Sequence, residues 1–85
     1  MNEINNLKKK IIYRSEHRGT KEMDLLLGNF VKKYINTFSI NDLHDLCMLL
    51  NISDQDLAKS LLNKDSSIKL PNNNVVNLLK DFKID

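Results

Sequence analysis

Apolar residues recur along this chain at intervals of three and four, and no segment alternates cleanly, so the pattern predicts helices and no strands. Ile4, Leu7, Ile11 and Ile12 fall at i, i+3, i+7 and i+8, which predicts a first helix ending near Ser15. Met23, Leu26, Leu27, Phe30, Val31 and Tyr34 form the longest apolar stripe, so the second helix should be the central one. Two later helix starts are marked by capping residues. Ser39 is an expected N-cap, with Asp42 three residues on and Phe38 and Leu43 placed as a hydrophobic staple; Ser53, Asp56, Ile52 and Leu57 repeat the arrangement. Because Asp replaces the usual Glu at the third position, a cap and a favourable dipole effect are expected rather than a full capping box. Asn51 is read as a left-handed stop between helices three and four.

Residues 63–74 gather turn-formers around Pro71 and a run of asparagines and read as a loop, one asparagine capping a last short helix with Val75, Val76, Leu78, Leu79 and Phe82. The expected fold is all-α, a small bundle of about five short helices, forming a single domain over residues 1–85.

Composition narrows this further. A chain of 85 residues supports one modest core. It has no apolar run near the roughly 20 residues of a membrane span. The start, Met1-Asn2-Glu3-Ile4, lacks a secretory h-region, and Glu3, Glu16 and the scarcity of arginine argue against a transit peptide. The single cysteine, Cys47, excludes an internal disulfide framework and suits a reducing compartment, so a cytoplasmic location is expected. The formal net charge of +2 hides an asymmetry. Residues 1–21 hold six Lys/Arg against two Glu, whereas residues 22–85 hold seven Lys against nine acids.

Catalytic patterns are scarce. Two histidines and one cysteine without close pairing give no zinc motif. His44 and Asp45, as neighbours, point about 100° apart on a helix and form no dyad by spacing. Cys47 lies on the stripe of Ile40, Leu43, Leu46 and Leu50 and reads as a small core hydrophobe rather than a nucleophile. Gly19 and Gly28 are the only glycines, so there is no Gly-rich phosphate loop, and catalysis by this chain alone is not expected. Gly28, inside the strongest helix, costs about 1 kcal/mol relative to alanine, and close packing of a neighbouring helix is the expected reason. Lys8, Lys9 and Lys10 with Arg14 offer a basic face suited to phosphates, against the plainer reading of a solvated helix face; interleaved aromatics of single-strand binders are missing.

The segment Arg18-Gly19-Thr20-Lys21-Glu22 stands apart. Gly19 falls between two helices, where either a positive φ or the close approach of another backbone would call for glycine. Helix two is expected to start at Gly19 or Thr20, which puts Glu22 in its first turn, at the positive end of the dipole. Arg18 and Glu22 are four apart, close enough to pair or to face one partner together. Helix termination explains Gly19 and capping explains Glu22, but neither accounts for the arginine.

These residues carry a resemblance. Arg18, Gly19 and Glu22 match the Arg-Gly-x-x-Glu hallmark of the SdhE-type flavinylation factors, bacterial relatives of the mitochondrial succinate dehydrogenase assembly factor. Tyr13 and Ser15 before it, Asp24-Leu25-Leu26-Leu27, Phe30 and Tyr34 after it, then Leu49-Leu50 and Asp54-x-Asp56-Leu57, resemble the family in order and spacing over roughly residues 4–62. Two positions depart: Ser60, beside Lys59, stands where many members carry tryptophan, and Thr20 where a large apolar residue is common. Past Asn63 no match is evident.

The resemblance implies a helical assembly factor, not an enzyme. Its partner would be the flavoprotein subunit of succinate dehydrogenase and, in some bacteria, of fumarate reductase, where it promotes covalent attachment of FAD to a histidine. FAD would belong to that partner, with none bound stably by this chain. Arg18, Gly19 and Glu22, with Asp24 beside them, would lie on the contact surface. The alternative from another class is a small basic nucleic-acid-binding helical domain using Lys8, Lys9, Lys10 and Arg14.

Overall fold

A computed structural model describes residues 3–61 and 69–82. They form five helices in the order α1 (Glu3–Glu16), α2 (Lys21–Tyr34), α3 (Ile40–Leu50), α4 (Asp54–Leu61) and α5 (Asn74–Asp81). No strand occurs among the described residues, so the all-α bundle expected from periodicity is the fold observed. Helix α1 packs on both α2 and α3, and α5 closes against α3.

The core follows the stripes. Met23, Leu27, Phe30 and Val31 of α2 are buried with Leu43, Leu46, Leu49 and Leu50 of α3, Ile11 of α1, Leu57 of α4 and Val75, Val76 and Leu79 of α5. Each such aliphatic side chain stabilises the fold by about 1.5–3 kcal/mol on burial. Phe30 also anchors an aromatic group, its ring centroid 5.0 Å from Tyr34 and 5.4 Å from Phe82. The C-terminal helix is thereby tied to the central one.

The caps explain where helices begin. Thr20 takes an extended conformation and its hydroxyl accepts from the Met23 N–H, so α2 begins at Lys21, later than the glycine or threonine expected from sequence. Ser39 and Asp42 exchange side-chain and backbone hydrogen bonds in a complete capping box; the shorter aspartate reaches far enough after all. Ser53 accepts from the Asp56 N–H at 3.2 Å, and Asn73 from the Val76 N–H at 2.8 Å. Asn51 is not left-handed; at φ −79° and ψ −13° it continues the helical sense, its N–H turning back onto the Met48 carbonyl where α3 ends. Within the expected loop, residues 69–73 are irregular, while 63–68 lie outside the described residues.

Gly28 is buried where α2 crosses the end of α1. A methyl group built there would lie 3.6 Å from Glu16 Cγ and 3.9 Å from the Ser15 carbonyl oxygen, ordinary van der Waals distances. The crossing therefore does not demand glycine. A Gly28→Ala variant is expected to be more stable by about 0.5–1 kcal/mol, because alanine restricts the unfolded chain and favours helix. Chemical denaturation of the two proteins, with unchanged slope, checks this.

Candidate functional site

The four residues between α1 and α2 bring four helix ends together. Arg18 leaves the end of α1 and reaches across to the junction of α3 and α4. Its Nε donates to Asp54 Oδ1 at 2.7 Å, Nη1 donates to the Leu50 carbonyl at 2.7 Å, and Nη2 donates to the Ile52 carbonyl at 2.8 Å. Leu50 ends α3, where carbonyls have lost their intrahelical partners and the dipole is negative, so a guanidinium there both satisfies and neutralises. Asp54 opens α4, where a carboxylate meets the positive end of that helix. The Arg18 and Asp54 side chains are 9 % and 18 % exposed, so their attraction is only partly screened.

The same carboxylate holds the next residue. Asp54 Oδ2 accepts from the Gly19 backbone N–H. A Cβ on Gly19 would sit 2.9 Å from that oxygen, closer than such atoms approach. Asp54 has little freedom to yield, since Arg18 pins its other oxygen. Gly19 is not in the left-handed region, so the positive φ considered from sequence is absent. What demands glycine inside the chain is the aspartate lying against its backbone. Asp24 completes the arrangement: its Oδ1 accepts from the Arg18 N–H at 2.5 Å, fixing the turn from below.

Of the four residues expected at a contact surface, the fold thus brings all together but gives them different duties. Gly19 and Glu22 are exposed, whereas Arg18 and Asp24 are half-buried and engaged internally. Arg18 pairs with Asp54 rather than with Glu22, four residues on. Glu22, Thr20 and Met23 face Asp54, Gln55 and Ala58 across a shallow cleft of about 230 Å³. Helix α4 therefore contributes to this surface through its first two turns. Asp54 was missed as a site residue; it stood inside the Asp-x-Asp-Leu stretch, but nothing in its spacing connected it to an arginine 36 positions earlier.

A second arginine repeats the grip. Arg14 Nη2 donates to the Leu50 carbonyl at 3.4 Å and to Asn51 Oδ1, so both arginines clasp the end of α3. Tyr13 and His17 stack with centroids 4.0 Å apart, and His17 Nδ1 donates to the Tyr13 carbonyl. Of the lysine run, Lys8 donates to Asn36 Oδ1, while Lys9 and Lys10 border an open cleft with Tyr13, Arg14 and Cys47. Cys47 is half-buried; burial pushes its thiol pKa up, and the nearby charges of Arg14 and Lys10 only partly oppose that. Such a thiol is a poor nucleophile at neutral pH. No cluster of three or more potential metal-ligating side chains occurs among the described residues, and no helix among them is long and apolar enough to cross a membrane.

The family model described as "Flavinator of succinate dehydrogenase" matches residues 9–83, and so includes α5, beyond the point where the sequence resemblance faded. The chain is 34 % identical over 67 residues to succinate dehydrogenase assembly factor 2, mitochondrial, of Arabidopsis thaliana, covering 79 % of this chain and 36 % of that protein. Against the Dictyostelium discoideum protein of the same name it is 39 % identical over 64 residues, covering 75 % and 45 %. It is also 32 % identical over 57 residues to the FAD assembly factor SdhE of Acetobacter pasteurianus, covering 67 % and 52 %. The chain spans between about a third and a half of the length of these curated relatives.

Proposed function

Because this chain belongs to the family of succinate dehydrogenase flavinators, we propose that it binds the flavoprotein subunit of succinate dehydrogenase, or of a related fumarate reductase, and promotes covalent attachment of FAD there. The observation that carries this reading is the bare Gly19 backbone, exposed beside Glu22 and braced from behind by Arg18, Asp24 and Asp54. A surface with no side chain at its centre lets another protein's backbone come close. A brace that fixes the turn limits the conformational entropy lost on docking.

In this mechanism Glu22 supplies the exposed charge and Gly19 the close approach. Arg18 and Asp24 are positioning residues that hold both in place. The chain itself forms no bond to flavin: FAD and the acceptor histidine belong to the partner. The gain is orientation, the partner being held in the conformation that aligns flavin with histidine.

The test is to express a candidate flavoprotein subunit with and without this chain, then measure in-gel flavin fluorescence and co-purification. Covalent flavin is expected to rise with the chain, which should co-purify with the apo-subunit. Unchanged fluorescence with no co-purification would overturn the reading. Binding to DNA or RNA that weakens steeply with salt would point instead to the basic-face alternative.

A further inference from the structure

The molecule carries a second, chemically different surface. Of the large hydrophobic side chains exposed among the described residues, Ile4, Tyr13, Ile40 and Met48 lie on α1 or α3, and only Leu25 lies elsewhere. Tyr13 and Met48 are 62 % and 61 % exposed, which is high for residues of their size in a well-packed bundle.

Ile4, Tyr13 and Ile40 border one groove, and Met48 is exposed one turn beyond His44 on the same row of α3. Where α1 packs on α3, an open cleft of about 570 Å³ is bordered by Leu7, Lys10, Ile40 and His44. A second of about 330 Å³, bordered by Lys9, Lys10, Tyr13, Arg14 and Cys47, adjoins it through Lys10. The helical period explains the alignment: Ile40, His44, Cys47 and Met48 fall within one stripe of α3, about a third of a turn away from the stripe that enters the core. Residues 3 to 14 of α1 give the groove a length of about 16 Å, three helical turns. Its rim is basic. Lys9, Lys10 and Arg14 border it, and Glu3, at the far end, is the one carboxylate among its lining residues. It ends beside the clamp, since Arg14 and Arg18 share the Leu50 carbonyl and Tyr13 stacks on His17, next to Arg18.

We propose that this α1–α3 groove is a second docking surface, which receives an acidic, apolar-tipped segment of the same flavoprotein subunit that covers Gly19. The proposal rests on the partner assigned above. Charge complementarity selects the segment: carboxylates opposite Lys9 and Lys10, apolar side chains against Tyr13, Ile40 and Met48. An apolar lining such as Ile4, Leu7, Ile40 and Tyr13 suits a polypeptide better than a nucleic-acid backbone, which would need the cations alone. The groove and the Gly19 surface then act as linked contacts, so that neither alone carries the whole affinity.

The experiment measures the affinity of the purified flavoprotein subunit for wild type, for Lys10→Glu, and for a Lys10→Glu/Tyr13→Ser/Met48→Ser variant, with thermal melts of each. The changed side chains are exposed, so melting should shift little. The triple variant is expected to bind at least about tenfold more weakly, and Lys10→Glu should flatten the salt dependence seen for wild type. Should the triple variant fail to fold, Lys10→Glu alone decides through its salt dependence. Binding by the folded variants within about twofold of wild type, while a Gly19 substitution abolishes it, overturns the groove and leaves the Gly19 reading intact. No binding by wild type at all defeats the partner assignment, and this proposal with it. A Lys10→Glu effect confined to an oligonucleotide probe reassigns the groove to nucleic acid and overturns the proposal as well.

Discussion

An Arg18→Ala variant is expected to lose about 2–4 kcal/mol of folding stability, a large part of the 5–15 kcal/mol typical of a small domain. Truncation removes three hydrogen bonds from a side chain that is 9 % exposed. It also takes the cation from Asp54, leaves the Ile52 carbonyl of the α3–α4 turn without this donor and leaves the Leu50 carbonyl only the longer bond from Arg14, and removing one half of a partly buried pair costs more than the net worth of the contact. For a chain of this size the loss corresponds to a fall in melting temperature of roughly 10–25 °C. Arg18→Lys should recover little, because an ammonium cannot present three donors in the separate directions of Asp54, Leu50 and Ile52. A double-mutant cycle with Asp54→Ala isolates the pair: its coupling should exceed about 1 kcal/mol, whereas surface pairs such as Lys32–Glu16, both partners more than a third exposed, contribute less. Additive losses from Arg18→Ala and Asp54→Ala would mean that the clamp is not a unit.

How far the sequence announced this arrangement depends on the range of the interactions involved. The helices were legible because their signals are local. The stripe from Met23 to Tyr34 repeats within one helix, and Ser39, Ser53 and Asn73 cap groups only three residues away. The Arg-Gly-x-x-Glu segment was legible as chemistry, since an arginine between two helices had no local use. Its internal partner was not. Arg18 meets Asp54, Leu50 and Ile52 at separations of 32 to 36 residues, set by how α1 crosses the α3–α4 junction and by no spacing in the chain. Glu22, the nearer acid at the helical interval, offered either a pairing or a shared outside partner. The geometry withholds the pairing because α2 starts only at Lys21, so the two residues never share a helix.

Asn51 shows the same limit from the other side. An asparagine after a helix suggests a left-handed stop, yet here the Asn51 and Ile52 N–H groups turn back onto the Met48 and Leu49 carbonyls, two arginines from elsewhere in the chain satisfy that of Leu50, and the backbone has no need to reverse. Tertiary donors complete what the local turn leaves open. Arg18 thereby ties the α3–α4 turn to the segment that carries Gly19.

The second large effect is expected at Gly19 itself, where structure and proposed docking make separable demands. Gly19→Arg should reduce covalent flavin in the partner at least tenfold, about 1.4 kcal/mol or more in docking or alignment. Two causes compete. The new Cβ would lie 2.9 Å from Asp54 Oδ2, so part of the loss could come from a displaced aspartate and a loosened Arg18. The remainder would come from a side chain standing where the partner's backbone approaches. Asp54→Ala separates them, since it removes the carboxylate that a Cβ would strike and leaves Gly19 bare. Combined with Gly19→Arg it gives a variant in which the internal clash is relieved and the external obstruction remains. If docking uses the bare backbone, this double variant should flavinylate far less than Asp54→Ala alone, measured at a temperature where melts show both folded. If the two support equal flavinylation, Gly19 is required only by Asp54, and the partner's contact must be sought at Glu22 and along the α4 side of the cleft.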